Sequence, residues 1–129
     1  MLFRSDGKNP KLVSWLMHES ALPANKEKLK KDASTIGYGG PTFCAMDDRN
    51  DARLYACGFG SAGVRVFDIR DQYAPREIAS WLPPVPAKML DPRPNVVRGA
   101  LSCDCLVTRD GLIYASDWNG GLHVLQYAG

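Results

Sequence analysis

The sequence predicts an all-β protein of short antiparallel strands, and two observations carry that prediction. The first is an internal repeat. Shifting the chain by 59 positions aligns Cys44 with Cys103, Asp51 with Asp110, and Leu54-Tyr55-Ala56 with Ile113-Tyr114-Ala115. One deletion later, Gly63-Val64-Arg65-Val66-Phe67 aligns with Gly121-Leu122-His123-Val124-Leu125. The second observation is punctuation: nine prolines and twelve glycines are spread along the chain, as many short elements and turns require. Each unit reads as strand, turn, strand, Gly-rich turn, strand. Four such strands per repeat, with no helix between them, is the pattern of propeller blades. The expected architecture is two antiparallel four-stranded propeller-like blades, a partial β-propeller.

The elements follow in order. Residues 1–17 hold a partial third copy, because Asp6, Pro10, Lys11 and Val13 match Asp71, Pro75, Arg76 and Ile78 at a constant offset of 65. They are expected to supply a strand of a preceding or shared blade. Residues 18–41 read as a loop in which only Ala24 to Ala33 has weak helical character. A blade spans 42–84, with strands at Phe43 to Asp47, Arg53 to Gly58, Gly63 to Ile69 and Arg76 to Leu82. These runs are rich in β-branched and aromatic residues. Asp48-Arg49-Asn50-Asp51 and Asp71 to Pro75 are built from turn residues, and Pro83-Pro84 ends the last strand. Residues 85–100 form a second loop. The last blade, 101–127, has strands at Cys103 to Thr108, Leu112 to Asp117 and Gly121 to Tyr127, with a hairpin signal at Asp110-Gly111. It stops after three strands. Pro10 to Met17 resembles the missing fourth type, so the first strand is expected to complete the last blade within one chain or in a neighbouring copy.

Val64 to Asp71 and Ala74 to Ala79 resemble the LVIVD-repeat family of β-propellers, and Asp117 to Leu125 resembles the last blade of such a protein. The resemblance covers residues 42 to 127 well and 1 to 17 more loosely. It implies a largely uncharacterised family, often extracytoplasmic, with no agreed catalytic residues to carry over. Since a closed propeller needs about four blades or more, the chain is expected to be the C-terminal part of a larger propeller or a piece that closes with other copies.

Composition sets bounds on function. The chain of 129 residues is 45% hydrophobic and 23% charged, with a formal net charge of +2. That is an ordinary globular composition without the field that nucleic-acid binding needs. Lys26, Lys28, Lys30 and Lys31 are interspersed with Glu27 and Asp32 and read as a solvated turn. No apolar run approaches the roughly 20 residues of a membrane span, and Met1 to Gly7 does not read as a secretory signal.

The motifs point away from catalysis. Gly58 to Gly63 fits G-x-G-x-x-G by letter, but the alternating run that follows is a strand, and a dinucleotide fingerprint needs a helix there. Gly37-Tyr38-Gly39-Gly40 lacks the Lys-Ser/Thr of a phosphate loop. Asp47, Asp48 and Asp51 read as turn caps rather than a calcium loop. His18 has no nameable partner, and His123 reads as a strand histidine. Cys103-x-Cys105 places two thiols on one strand face, which admits a soft-metal site as the alternative reading, and buried free thiols are the expectation there. Pairing Asp47 with Leu54 puts Cys44 opposite Cys57, so a Cys44–Cys57 disulfide is expected in an oxidising compartment and two buried thiols otherwise. The turns Gly58 to Ala62 and Asp117 to Gly120 are equivalent, which puts Phe59, Trp118 and Asn119 on one rim as a candidate partner-contact surface, with packing against the adjacent blade as the alternative.

No catalytic, cofactor-binding or metal residues are expected. The leading expectation is a protein-interaction or scaffold module acting through a protein partner, missing blades or self-association. The alternative is the C-terminal part of a propeller enzyme, distantly like the methanethiol oxidase (selenium-binding) propellers, whose active site lies in other blades.

Overall fold

The computed structural model describes residues 2–4, 11–17, 22–25, 42–60, 62–90 and 102–128. His18, the lysine cluster and Gly37 to Gly40 lie outside them. The described residues are all-β, in three antiparallel sheets, with one 3-10 turn at Pro23–Asn25 where helical character was expected to begin. Strands β1 (Leu2–Arg4) and β2 (Lys11–Ser14) pair as a hairpin. Strands β3 (Cys44–Met46), β4 (Leu54–Gly58), β5 (Val64–Asp68) and β6 (Arg76–Trp81) form a four-stranded meander, here sheet B. Strands β7 (Ser102–Val107), β8 (Leu112–Asp117) and β9 (Gly121–Gln126) form a three-stranded meander, sheet C. The second unit therefore has three strands, and β2 pairs with β1 rather than completing it within the chain.

Period-two alternation sorts each strand between two faces. In sheet B, Ala45, Leu54, Ala56, Val64 and Val66 belong to the cluster packed against Cys105, Val107, Ile113 and Ala115 of sheet C. This is the core. The opposite face of sheet B carries Cys57, Phe59, Phe67 and Ile69, with Leu16 from beyond β2 packed on it. A bulge at Ile78 in β6 lets Val66 face Ala79 while Phe67 faces Glu77.

The two sheets are structural repeats, but in a register that differs from the sequence alignment. Asp47 accepts the Leu54 amide on its carboxylate at 3.0 Å, and Thr108 accepts the Leu112 amide on its hydroxyl at 3.1 Å. These residues close equivalent hairpins. The pairing registers then place β3 on β7 at an offset of 61 and β4 on β8 at 58. Cys44 thus corresponds to Cys105, not Cys103, and Cys57 corresponds to Ala115. The constant shift of 59 averaged across a hairpin loop that is shorter in the second unit.

Candidate interaction site

The Gly58 to Gly63 turn is closed by backbone hydrogen bonds, Phe59 to Gly63 at 2.8 Å among them, and the Asp117 to Gly120 turn by a capping side chain. Asp117 Oδ1 accepts the amides of Asn119 at 2.8 Å and Gly120 at 2.7 Å, which tightens the turn into β9. Trp118 at its tip is 58% exposed, whereas Asn119 is buried. Phe59 is not on this surface: it is 3% exposed, and its ring packs 6.2 Å from that of Phe67. The corrected register explains this, because Phe59 corresponds to buried Asp117 and Gly60 to Trp118. Only Trp118 of the three presents an exposed side chain on the rim.

Cys44 and Cys57 face each other across β3 and β4 with Cα atoms 4.1 Å apart and are joined by a disulfide. Cys105 is buried and reduced, and burial next to the Asp104 charge pushes its thiol up to about 12. It remains a neutral thiol at ordinary pH, a poor nucleophile and a poor soft-metal ligand. The β7 backbone carries a bulge between Ser102 and Asp104.

The acidic residues of the first hairpin are occupied by capping and ion pairing. Burial works to raise Asp47, but the amides of Leu54 and Arg53 and the Arg53 guanidinium outweigh it and hold the carboxyl below its usual range. Asp48 is held low by the amides of Asn50 and Asp51. Arg109 of sheet C reaches Asp51 at 2.7 Å and Asp48 at 3.3 Å, while Arg53 donates to the Arg109 carbonyl at 3.0 Å. These contacts clamp the two hairpins together. Among the described residues no group of three or more His, Cys, Asp or Glu is placed to hold a metal ion.

Sequence reasoning missed a polar cluster beneath the Trp118 turn. Ser102 Oγ, Asp117 Oδ2 and His123 Nε2 are buried without hydrogen-bond partners. Ser102 lies directly across from Asp117, and His123 lies across from Ala115, one pleat further along. Strand order sets Asp117 of β8 between Ser102 of β7 and His123 of β9, whereas nucleophilic catalysis needs the imidazole between the other two. The His123 ring packs against Trp81 of β6, with centroids 4.9 Å apart and planes tilted by 59°.

The comparisons identify no relative. No protein-family model, curated protein or solved structure matches the chain. Function must be read from surfaces.

The most distinctive surface is the outer face of sheet C. Leu106, Tyr114 and Val124 form one row across its three strands, with Leu122 in the next. Leu106, Leu122 and Val124 are each more than half exposed. The equivalent residues of sheet B, Ala45, Ala56, Val64 and Val66, belong to the core cluster. Among the described residues no helix is long and apolar enough to cross a membrane.

Proposed function

We infer that this chain is a non-catalytic protein-interaction module built from consecutive blades of a β-propeller of the LVIVD-repeat type. The observation that carries the reading is the row Leu106-Tyr114-Val124 on the outer face of sheet C, in which Leu106 and Val124 are more than half exposed and Tyr114 lies half-buried between them. A contiguous exposed apolar patch on a sheet marks an interaction surface. Its occupant is the face of another sheet of the same kind, because the equivalent face of sheet B is already covered in that way by sheet C.

Replacing Leu106 and Tyr114 together by lysine tests this. The variant should keep its far-ultraviolet circular dichroism and bind several-fold less of a hydrophobic dye such as anilinonaphthalene sulfonate. Face-mediated association, followed by sedimentation velocity over a hundredfold concentration range, should weaken about tenfold or more. A folded variant with unchanged dye binding and unchanged association would overturn the reading.

A further inference from the structure

The face of sheet C is one open surface; its edge is another. Among the described residues strand β9 pairs with β8 only, whereas β5 in sheet B is covered by β6. Tyr127 donates to the Gly111 carbonyl, which fixes the odd-numbered residues of β9 as those bonded to β8. By antiparallel alternation, the N–H and C=O groups of Leu122, Val124 and Gln126 point outward from the free edge. Unpaired edges of this kind are templates for another strand.

Three further observations mark the vacant place as that of a β6-type strand. A cleft of about 400 Å³ runs along the edge, lined by Val66, Ala79 and Trp81 of sheet B and Val124, Leu125 and Tyr127 of sheet C. Gly63 and Gly121 are equivalent, with φ of +77° and +82°. A Cβ on Gly63 would collide with the Trp81 carbonyl of β6, but a Cβ on Gly121 would meet nothing within 4 Å. Arg65 is paired with Glu77 of β6 at 2.9 Å, while its counterpart His123 has a buried Nε2 with no partner.

The chain contains a matching strand. Ser14-Trp15-Leu16, at the end of β2, repeats Ser80-Trp81-Leu82 at an offset of 66. Trp81 packs into the core cluster, whereas Trp15 is 66% exposed. Carrying the β5–β6 register onto β9 sets Trp15 across from Leu122, Ser14 across from His123 and Val13 across from Val124. Ser14 Oγ and His123 Nε2 are both buried without partners, and this register brings them together. In the structure, however, Leu16 packs on the far face of sheet B, away from β9.

We propose that β2 of one copy adds to the β9 edge of a second copy, completing its last sheet by strand exchange. This contact uses the edge, not the outer face, so the lysine pair at 106 and 114 leaves it intact. The two readings can therefore fail separately.

The test is cross-linking of the full chain carrying Val13→Cys and Val124→Cys, directly paired positions in the proposed register. Mild oxidation should give a covalent dimer, with a disulfide joining position 13 of one copy to position 124 of a differently isotope-labelled copy. The out-of-register pair Leu12→Cys with Val124→Cys should give at least tenfold less. A monomer cross-linked within one chain, or no cross-link above the out-of-register control, would overturn the proposal. As a second readout, Gln126→Pro removes an outward N–H at an edge position that tolerates proline and lies outside the Leu106-Tyr114-Val124 row. In the chain without introduced cysteines it should abolish dimerisation, while Gln126→Thr should retain it.

Discussion

At the scale of single residues, the charged side chains are committed to turns. Asp68, at the end of β5, shows the consequence most clearly. Its carboxylate receives the Arg70 side chain at 2.6 and 3.0 Å and the Arg70 amide at 3.0 Å, with Arg76 at 3.7 Å. The Arg70 side chain contributes most to lowering its pKa from 3.8 to about 2. A depressed folded-state pKa means that the unfolded chain takes up the proton first on acidification. The stabilisation is therefore complete above the unfolded value and disappears as pH falls through the folded one. Asp68→Asn should accordingly be less stable than the parent near neutrality, with the gap narrowing as pH falls from 3.8 toward about 2. Urea unfolding at a series of pH values measures this, and a gap independent of pH would contradict it. The lowered Asp47 and Asp48 act in the same direction but are present in both proteins, so they cancel in the comparison.

At the scale of elements, the two rim glycines separate backbone freedom from packing. Both need positive φ, which costs an ordinary residue roughly 1–2 kcal/mol. Only Gly63 also lies against the Trp81 backbone. Gly63→Ala should therefore cost more than Gly121→Ala, which should stay near that backbone penalty in dilute monomer. Equal shifts in denaturation midpoint would mean that β6 does not press on the turn. The strands themselves were legible: the Val64-Arg65-Val66-Phe67 alternation and the Asp110-Gly111 turn located β5 and the β7–β8 hairpin within a residue or two. The register between repeats was not. The alignment carried a single offset of 59 across the first hairpin, while the structure has 61 for β3 on β7 and 58 for β4 on β8, because the Asp47–Leu54 and Thr108–Leu112 hairpins close loops of different length. In β4 the alignment slipped by one residue, which exchanges the faces of a strand and assigned Phe59 the place of Trp118, while in β3 it slipped by two and gave Cys103 the place of Cys105. Nor could the sequence show the unsatisfied Ser102 Oγ, Asp117 Oδ2 and His123 Nε2, which belong to three neighbouring strands.

At the scale of the whole molecule, the question is whether sheets B and C are two units or one. The core cluster answers physically, since Ala56, Val64 and Val66 of sheet B and Cys105, Val107, Ile113 and Ala115 of sheet C bury one another. Among the described residues no element outside sheets B and C packs on those faces. A three-stranded sheet with one face uncovered and the other stripped of its partner has little independent stability. The Arg109 contacts with Asp48 and Asp51 and the Gly60–Ser102 bridge add register to that packing, but exposed ion pairs contribute little energy. Coupling must then come from apolar burial, and Ile113, 2% exposed in the middle strand of sheet C, lies at its centre. Ile113→Ala should cost about 2–5 kcal/mol, as large-to-small core substitutions do. It should lower one shared transition rather than detach sheet C. Trp81 fluorescence, which reports β6 against His123, should lose its signal at the same denaturant concentration as far-ultraviolet dichroism in a Trp15→Phe/Trp118→Phe background. Two separated transitions would show instead that the four-stranded sheet stands alone and that sheet C is an appendage held by its loop contacts.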